Sequence, residues 1–272
     1  MRFLVIGAGM QGSAAAFDLL QQPATKSVIV ADKNPSVARA FLDPWRGKNL
    51  ELLQLDLGDD AAVRAALQRV DGVCCAAPYF FNTKLTKLAI EAGKHFCDLG
   101  GNTEIVFQQK ALHDLAVEKG VSVVPDCGVA PGMVNILAGE GIRRLDKAEK
   151  VKIYVGGLPQ KPEPPVNYMV VYSLEGCLDY YTSKSWVIRN GKRAQVEALS
   201  ELEEVEFPAP WGMLEAFHTG GGISTMPFTW EGRVQTMEYK TLRYPGHVAI
   251  MKPIRELGLI GNEPIEVEGV KV

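Results

Sequence analysis

Short apolar runs alternate with amphipathic segments along the first half of the chain. The runs are bounded by turn residues, which is typical of buried strands, and the segments between them repeat their apolar positions at helical spacing. The runs predict six strands, at residues 2–6, 27–31, 50–55, 72–76, 95–98 and 121–125. The segments predict helices after residue 12 and at 61–67, 85–92 and 106–119. This alternation predicts an α/β fold with a doubly wound parallel sheet.

The pattern changes near Pro131, which is predicted to open one more helix. Beyond that helix β-like segments dominate, at residues 152–155, 168–172, 186–189, 203–207 and 234–242. A chain of 272 residues is also longer than one hydrophobic core usually supports. We therefore predict two domains, the doubly wound domain at 1–132 and a mixed α+β domain at 133–272.

The first strand runs directly into Gly7-Ala8-Gly9-Met10-Gln11-Gly12, a G-x-G-x-x-G pattern. A preceding strand, a following helix and an acid about 20 residues on, Asp32, form the context in which this pattern binds a dinucleotide. Gly7 permits the tight turn, Gly9 lets a pyrophosphate approach the backbone, and Gly12 allows close packing of the helix. The helix N-terminus adds N–H donors for the phosphates. The stretch predicts a Rossmann dinucleotide site rather than a simple tight turn.

Further cofactor contacts are predicted in the loops after the strands, because ligands of doubly wound sheets lie beyond the carboxyl ends of the strands. Asp32 can accept hydrogen bonds from an adenosine ribose, which favours NAD, whereas the adjacent Lys33 could accommodate the 2′-phosphate of NADP. Asp56 can contact the adenine side or serve only as a strand-end acid or helix cap. The loop after the fourth strand adds Ala77 and Pro78. We expect NAD as the cofactor, with NADP as the alternative.

Composition narrows the range of partners. A net charge of −3 with 47% hydrophobic residues gives no electrostatic case for nucleic acid or for an anionic membrane surface. The longest uncharged apolar stretch, at 72–81, is too short to span a bilayer. The five cysteines form an odd set without a C-x-x-C pair or zinc-ligand spacing. We expect no metal, a small-molecule substrate and a reducing, cytoplasmic location.

Candidate catalytic groups lie in both halves. Asp126 follows the sixth strand and is either an acid or base or a turn-forming residue. Asn135, one turn into the next helix, is a candidate substrate ligand. In the second half Arg243 could hold a carboxylate bidentately. His218 and His247 titrate near neutrality and are candidate bases, although lone histidines are more often structural.

Three stretches carry a family resemblance: residues 126–132, residues 242–247 and, most specifically, Tyr154-Val155-Gly156-Gly157-Leu158-Pro159 with its proline-rich continuation. With these motifs the chain resembles the saccharopine dehydrogenase-like oxidoreductases, most closely those that dehydrogenate L-lysine at carbon 6. The resemblance implies a Rossmann domain, a second mixed domain, NAD(P) dependence and oxidation at a carbon that bears an amine. It also implies that Asp126 and Arg243 lie at the site.

The expected reaction is therefore oxidation of the ε-carbon of L-lysine to an imine and then an aldehyde, with release of ammonia. A base must first take a proton, because an ammonium has no lone pair to push, and the candidates in order are Asp126, His218 and His247. Arg243 would hold the α-carboxylate. Tyr79 would pack near the nicotinamide or the substrate.

Two alternatives stay open. A saccharopine or carboxyspermidine-type dehydrogenase would act on a bulkier secondary amine and would need a second cationic anchor, for which Arg189 and Arg233 are candidates. A dinucleotide-binding protein without turnover is the other alternative, because the chain stops earlier than family members of this type usually do. We also expect a homodimer, since a β-rich second half offers sheet faces or edges for pairing.

Overall fold

The computed structural model describes residues 1–170, 174–261 and 266–271, and the chain divides into two units, Met1–Ile136 and Leu137–Val272. The first unit is built on a parallel sheet in the order β3-β2-β1-β4-β5-β6. Its strands are β1 Arg2–Ile6, β2 Ser27–Asp32, β3 Leu50–Gln54, β4 Gly72–Cys75, β5 His95–Asp98 and β6 Val123–Val124. Its helices are α1 Met10–Gln21, α2 Asp60–Leu67, α3 Asn82–Glu91, α4 Thr103–Lys110 and α5 His113–Lys119, followed by α6 Met133–Arg143 at the division. This strand order confirms the predicted Rossmann sheet, whose direction of winding reverses between β1 and β4.

The sheet of the first unit is buried on both faces, which explains its continuous apolar strands. One face carries a cluster in which Leu4 and Ile6 of β1 meet Val63 of α2 and Leu85 of α3. The other face carries a cluster around Val5, packed against α1. Helices therefore cover both faces, and the loops at the carboxyl ends of the strands remain as the edge where a ligand can lie.

One predicted helix of the first unit was wrong in extent. In place of a single helix at 106–119 the chain forms α4 and α5. Helix α4 begins early because the side chain of Asn102 accepts hydrogen bonds from the backbone N–H groups of Glu104 and Ile105, at 3.0 and 3.3 Å. Between the two helices Leu112 donates its N–H to the carbonyl of Gln109 in a tighter turn. No glycine or proline marks this break, so apolar spacing alone did not reveal it.

The second unit is a mixed α+β fold, as predicted. Its sheet has the antiparallel order β10-β11-β12-β8-β9, and β7 pairs with β12 in parallel. The strands are β7 Lys150–Val155, β8 Ser185–Arg189, β9 Lys192–Val196, β10 Glu203–Phe207, β11 Gly212–Phe217 and β12 Thr236–Arg243, with a small hairpin of β13 Glu266–Val267 and β14 Val270–Lys271. The helices are α7 Leu174–Thr182, α8 Met226–Trp230 and α9 His247–Glu256. A core on one face of the sheet joins Cys177 and Tyr181 of α7 to Phe217 of β11 and Val248 of α9.

The strand predicted at 168–172 is not formed in the described part of that segment. Residues 168–170 have no regular secondary structure, and residues 171 and 172 lie outside the described residues. Tyr168 instead packs beside the core around Cys177. Throughout the described part of the chain, the helices fall short of the length and apolar character that a bilayer span requires.

Candidate functional site

The glycine loop between β1 and α1 has the geometry that its sequence predicts. Gly7 adopts a φ of 98°, and a Cβ there would lie 2.8 Å from the carbonyl oxygen of Ala76. A Cβ on Gly12 would collide with the carbonyl oxygen of Gly7, so only glycine lets α1 begin this close to the turn. A Cβ on Gly9, in contrast, would meet nothing within 4 Å. The open side of Gly9 and the N-terminus of α1, which includes Met10 and Gln11, form a cradle for a phosphate.

Asp32 ends β2 and braces this loop. Its carboxylate accepts the N–H of Ala8 and the N–H of Asn34, both at 2.8 Å. The position beside the loop fits the predicted contact with an adenosine ribose. The bond to Ala8 adds a second role, which is to hold the glycine loop in shape.

Lys33 and Asp56 are neighbours at the carboxyl ends of β2 and β3. Their side chains form an exposed ion pair at 3.4 Å, and Asp56 also accepts the N–H of Gly58 at 2.8 Å. The hydrogen bond from Gly58, followed by that from Lys33, lowers the pKa of Asp56. Asp59 caps α2, with bonds from Ala61 and Ala62, so the alternative that made Asp56 the helix cap is wrong. A 2′-phosphate near Lys33 would have to compete with Asp56 for the ammonium group.

The loop after β4 approaches the glycine loop. The N–H of Ala76 donates to the carbonyl of Ile6 at 2.7 Å, and a Cβ on Gly7 would lie 3.3 Å from the nitrogen of Ala77. Ala77 and the exposed Pro78 follow, and Pro78 precedes a short 3-10 helix at Tyr79–Phe81. The half-buried ring of Tyr79 meets Phe80 edge-on at 6.0 Å. The predicted contacts Ala77 and Pro78 therefore lie on the same sheet edge as the glycine loop.

Asp98, at the end of β5, organises the next part of this edge and was not among the predicted site residues. The residue is fully buried, and its Oδ1 accepts the N–H groups of Gly100 and Asp126 while its Oδ2 accepts the side-chain amide of Gln109 at 2.6 Å. Burial raises the pKa of this carboxyl. The signal that could have found it is an acid ending an apolar strand of a parallel sheet. Its partners, however, come from three different elements.

Asp126 lies at the start of the loop that Asp98 holds. Its backbone adopts a left-handed φ of 61°, and a Cβ on Gly100 would collide with its Oδ1. The loop then turns tightly, because a Cβ on Gly132 would meet the carbonyl of Gly128. Helix α6 begins at Met133, so the prediction that Pro131 occupies its first position was wrong by two residues, and a cis peptide bond precedes that proline. Asn135 therefore lies within the first turn of α6 rather than one turn into the helix.

In the second unit Arg243 and His247 belong to one buried aromatic cluster. The guanidinium of Arg243, at the end of β12, lies 3.9 Å from the ring centre of Tyr168 and donates to the carbonyl of Leu242. His247 opens α9, its Nδ1 bonds to the carbonyl of Val166 at 3.0 Å, and its Nε2 bonds to the hydroxyl of Tyr181 at 2.9 Å. The Val166 carbonyl can only accept, so Nδ1 carries a proton, and in the neutral ring Nε2 accepts the O–H of Tyr181. Burial lowers the pKa of His247, which agrees with that form.

His218 lies elsewhere in the second unit. Its ring is fully buried, its Nδ1 bonds to the carbonyl of Tyr239 at 3.0 Å, and its Nε2 lies 3.2 Å from Glu201 and 3.5 Å from Arg189. Burial lowers the pKa of this histidine as well. His218 follows Phe217 directly, and Phe217 stacks on His247. The two predicted bases therefore have different hydrogen-bond partners.

Glu201, His218 and Glu238 converge as metal ligands would, with ligand atoms within 4.8 Å of one another. The guanidinium of Arg189 already lies among them, at 2.8 Å from Glu201 and 2.7 Å from Glu238. The ammonium of Lys152 pairs with Glu238 at 3.1 Å. These two cations balance the charge of the two carboxylates, so the group forms a partly exposed ion-pair network.

Comparison with known proteins covers almost the whole chain. The model of the saccharopine dehydrogenase NADP binding domain matches residues 3–124, and that of the saccharopine dehydrogenase C-terminal domain matches residues 128–271. Saccharopine dehydrogenase [NADP(+), L-glutamate-forming] of Schizosaccharomyces pombe is 28% identical over 207 residues, which is 74% of this chain and 44% of that protein. Mitochondrial alpha-aminoadipic semialdehyde synthase of Mus musculus is 24% identical over 226 residues, covering 79% of this chain and 24% of that protein.

A solved structure shares the fold. Apo saccharopine dehydrogenase (L-Glu forming) from Saccharomyces cerevisiae superposes with a TM-score of 0.75 at 22% identity, and the match covers 97% of this chain and 60% of that one. The chain spans less than half the length of the curated relatives named above.

Proposed function

The chain belongs to the saccharopine dehydrogenase family of NAD(P)-dependent oxidoreductases, and we propose that it oxidises an amino acid at a carbon that bears an amine nitrogen, with L-lysine at its ε-carbon as the first candidate substrate. The cofactor, when bound, accepts a hydride from that carbon. The chain's own residues must then hold the substrate carboxylate, keep the amine neutral and admit water to the resulting imine. Hydrolysis of that imine gives the aldehyde and ammonia.

The observation that supports lysine over a substrate with several carboxylates is the distribution of arginines in the second unit. Arg243 is buried against Tyr168 and presents a planar guanidinium suited to one carboxylate. Arg189, a predicted second anchor, is committed to Glu201 and Glu238. In the sheet, Arg189 is the register partner of Thr236 of β12, which lies seven residues before Arg243. At the usual rise per residue, the backbones of Thr236 and Arg243 are roughly 23 Å apart. Lysine has a single α-carboxylate.

Arg233, the other predicted second anchor, also supports the single-carboxylate substrate. Its guanidinium lies 5.9 Å from the ring centre of Trp230, in the turn before β12, at the opposite end of that strand from Arg243. Two arginines at opposite ends of a strand do not bind neighbouring carboxylates of one small molecule. Saccharopine is nevertheless the second candidate, because the relative from Schizosaccharomyces pombe carries that substrate in its name.

We propose Asp126 as the base that keeps the amine neutral. It lies on the same sheet edge as the glycine loop, held through its N–H by Asp98 at 3.3 Å. The histidines are poorer candidates, since both ring nitrogens of His218 and of His247 are engaged by groups of the second unit. With a carboxylate as the base, we expect the rate of amine oxidation to rise with pH as the substrate ammonium loses its proton. Tyr79, on the same edge, is proposed to pack against the nicotinamide or the substrate.

The proposed reaction is tested by absorbance at the NADH band with L-lysine, saccharopine and 1,5-diaminopentane at alkaline pH, using NAD and NADP in parallel. Diaminopentane is lysine without its carboxylate. We expect reduction with lysine, and an Arg243→Gln variant that loses most activity on lysine through KM while its slow turnover of diaminopentane is unchanged. Equal losses on both amines would remove Arg243 as the carboxylate anchor.

The same assay separates the alternatives. Turnover of saccharopine alone would identify the secondary amine as the substrate. Cofactor binding seen by NADH fluorescence, with no reduction by any amine, would identify a dinucleotide-binding protein without turnover. An Asp126→Asn variant that retains the wild-type rate and pH profile would remove the proposed base. The predicted homodimer is checked by sedimentation of the same preparation.

A further inference from the structure

Three cysteine thiols lie in a row near the carboxyl edge of the parallel sheet. Cys74 of β4 and Cys97 of β5 are register partners on neighbouring strands, so their side chains share one face of the sheet. The thiols of Cys74 and Cys127 are the neighbours of the Cys97 thiol, one on each side. Cys74 and Cys97 are half-buried, and Cys127 is exposed.

The backbone holds Cys127 in this position. Its N–H donates to the carbonyl of Asp98, the residue after Cys97, at 2.7 Å, and its thiol lies 3.4 Å from the carbonyl of Val124. The preceding residue, Asp126, donates its own N–H to the carboxylate of Asp98. The exposed end of the row is therefore fixed against its neighbour by main-chain hydrogen bonds rather than by a mobile side chain.

We propose that Cys97 and Cys127 form a reversible disulfide when the protein meets a hydroperoxide, and that this bond restrains loop 126–132. The thiolate of Cys127 attacks the peroxide, which is reduced to an alcohol or water, and becomes a sulfenic acid. The thiol of Cys97 then attacks that sulfur, and water leaves as the S–S bond forms. Two thiols are oxidised and one peroxide bond is reduced. The inference is independent of the proposed substrate.

The surroundings of Cys127 make this oxidation dependent on pH. The neighbouring Cys97 thiol, followed by partial desolvation and the charges of Asp98 and Asp126, raises the pKa of the Cys127 thiol. Because the thiolate is the nucleophile, its reactive fraction at neutral pH is small and rises about tenfold per pH unit below that pKa. Between about pH 7 and pH 9 we therefore expect the rate of disulfide formation to rise about tenfold for each pH unit.

The modification is tested by mass spectrometry of the full chain. The protein is treated with hydrogen peroxide, free thiols are blocked with a maleimide, and the protein is digested with trypsin. Cleavage at Lys110 and Lys119 places Cys97 and Cys127 on separate peptides, and cleavage at Lys84 separates Cys74 from both. We expect a linked pair of the Cys97 and Cys127 peptides that dithiothreitol separates. A link between the Cys74 and Cys97 peptides, or three thiols that remain open to the maleimide, would overturn the assignment.

Matched variants sharpen the result. Cys97→Ser should leave Cys127 as a sulfenic or sulfinic acid without a link, and Cys177→Ala, in the core of the second unit, should leave the link unchanged. Circular dichroism of the untreated variants checks their folding, and Cys97→Ala serves if the serine variant is unfolded. Hydrogen exchange of residues 126–132 should slow in the linked protein. Identical exchange before and after oxidation would remove the proposed restraint of the loop.

Discussion

At the scale of single residues, Asp32 combines two duties that can be separated. Its carboxylate holds the glycine loop through the N–H of Ala8 and sits where a ribose 2′-oxygen is recognised. In an Asp32→Ser variant the loss of the loop contact weakens both cofactors alike, while removal of the negative charge helps only NADP. We expect the ratio of NADP to NAD affinity to rise about tenfold, which corresponds to about 1.4 kcal/mol. Fluorescence titration with NADH and NADPH measures that ratio.

The control for this change is Asp56→Ser. Asp56 is a neighbouring exposed acid paired with Lys33, so its substitution should shift the ratio much less. A ratio that stays constant in Asp32→Ser would mean that its carboxylate serves the loop alone.

His218 and His247 make the stability of the fold depend on pH. Burial lowers the pKa of both residues below the usual 6.5, so the unfolded chain binds protons that the folded chain refuses. Stability is therefore complete above about pH 6.5 and declines as the pH falls below it, by at most about 1.4 kcal/mol per pH unit for each histidine. Urea unfolding at about pH 7.5 and about pH 5.5 measures the decline. A His218→Gln, His247→Gln double variant should show a shallower decline, and the surface variant His113→Gln the wild-type one.

At the scale of elements, the junction of β1 and α1 contains two glycines with different needs. Gly12→Ala would drive a Cβ into the carbonyl of Gly7, so we expect a loss of about 1–3 kcal/mol of unfolding free energy together with loss of cofactor binding. Gly9→Ala has open space and should keep the wild-type unfolding midpoint, but its methyl group occupies the approach of the pyrophosphate. Thermal unfolding and NADH titration of both variants check this contrast.

Gly139→Ala on α6, where a Cβ also meets nothing within 4 Å, serves as the control with neither defect. Normal NADH affinity in Gly9→Ala would mean that the phosphate lies away from this turn.

The elements predicted correctly from the sequence are those determined by residues close together in the chain. The strands β1 and β2 are short, largely apolar runs in a sheet covered on both faces, and such runs can be recognised without knowledge of their neighbours. Helix α9 escaped prediction because its first N–H groups, on Gly246 and Val248, are capped by Glu215 of β11, 31 and 33 residues earlier. The same distinction between local and long-range causes applies to the residues of the candidate site. Asp126 could be proposed from its place after a strand, whereas the role of Asp98 depends on partners brought together by folding.

At the scale of the whole molecule, the two units carry separate cores. The clusters around Leu4 and Val5 belong to the first unit, and those around Phe217 and Leu214 to the second. Domains with their own cores can unfold independently, and a ligand stabilises only the unit that binds it. Because the glycine loop lies in the first unit, NADPH at 100 times its Kd should stabilise that unit by about 2.7 kcal/mol and leave the second unchanged.

Tryptophan fluorescence can follow the two units one at a time. Trp45 is the single tryptophan of the first unit, where it packs edge-on against Phe17 at 5.3 Å, and Trp186, Trp211 and Trp230 belong to the second. In a Trp45→Phe variant the remaining signal reports the second unit, and the difference from wild type reports the first. We expect two urea transitions, of which NADPH moves only the one seen through Trp45. A single transition that moves as a whole for both probes would instead require the two units to unfold as one cooperative body, which NADPH would then stabilise as a whole.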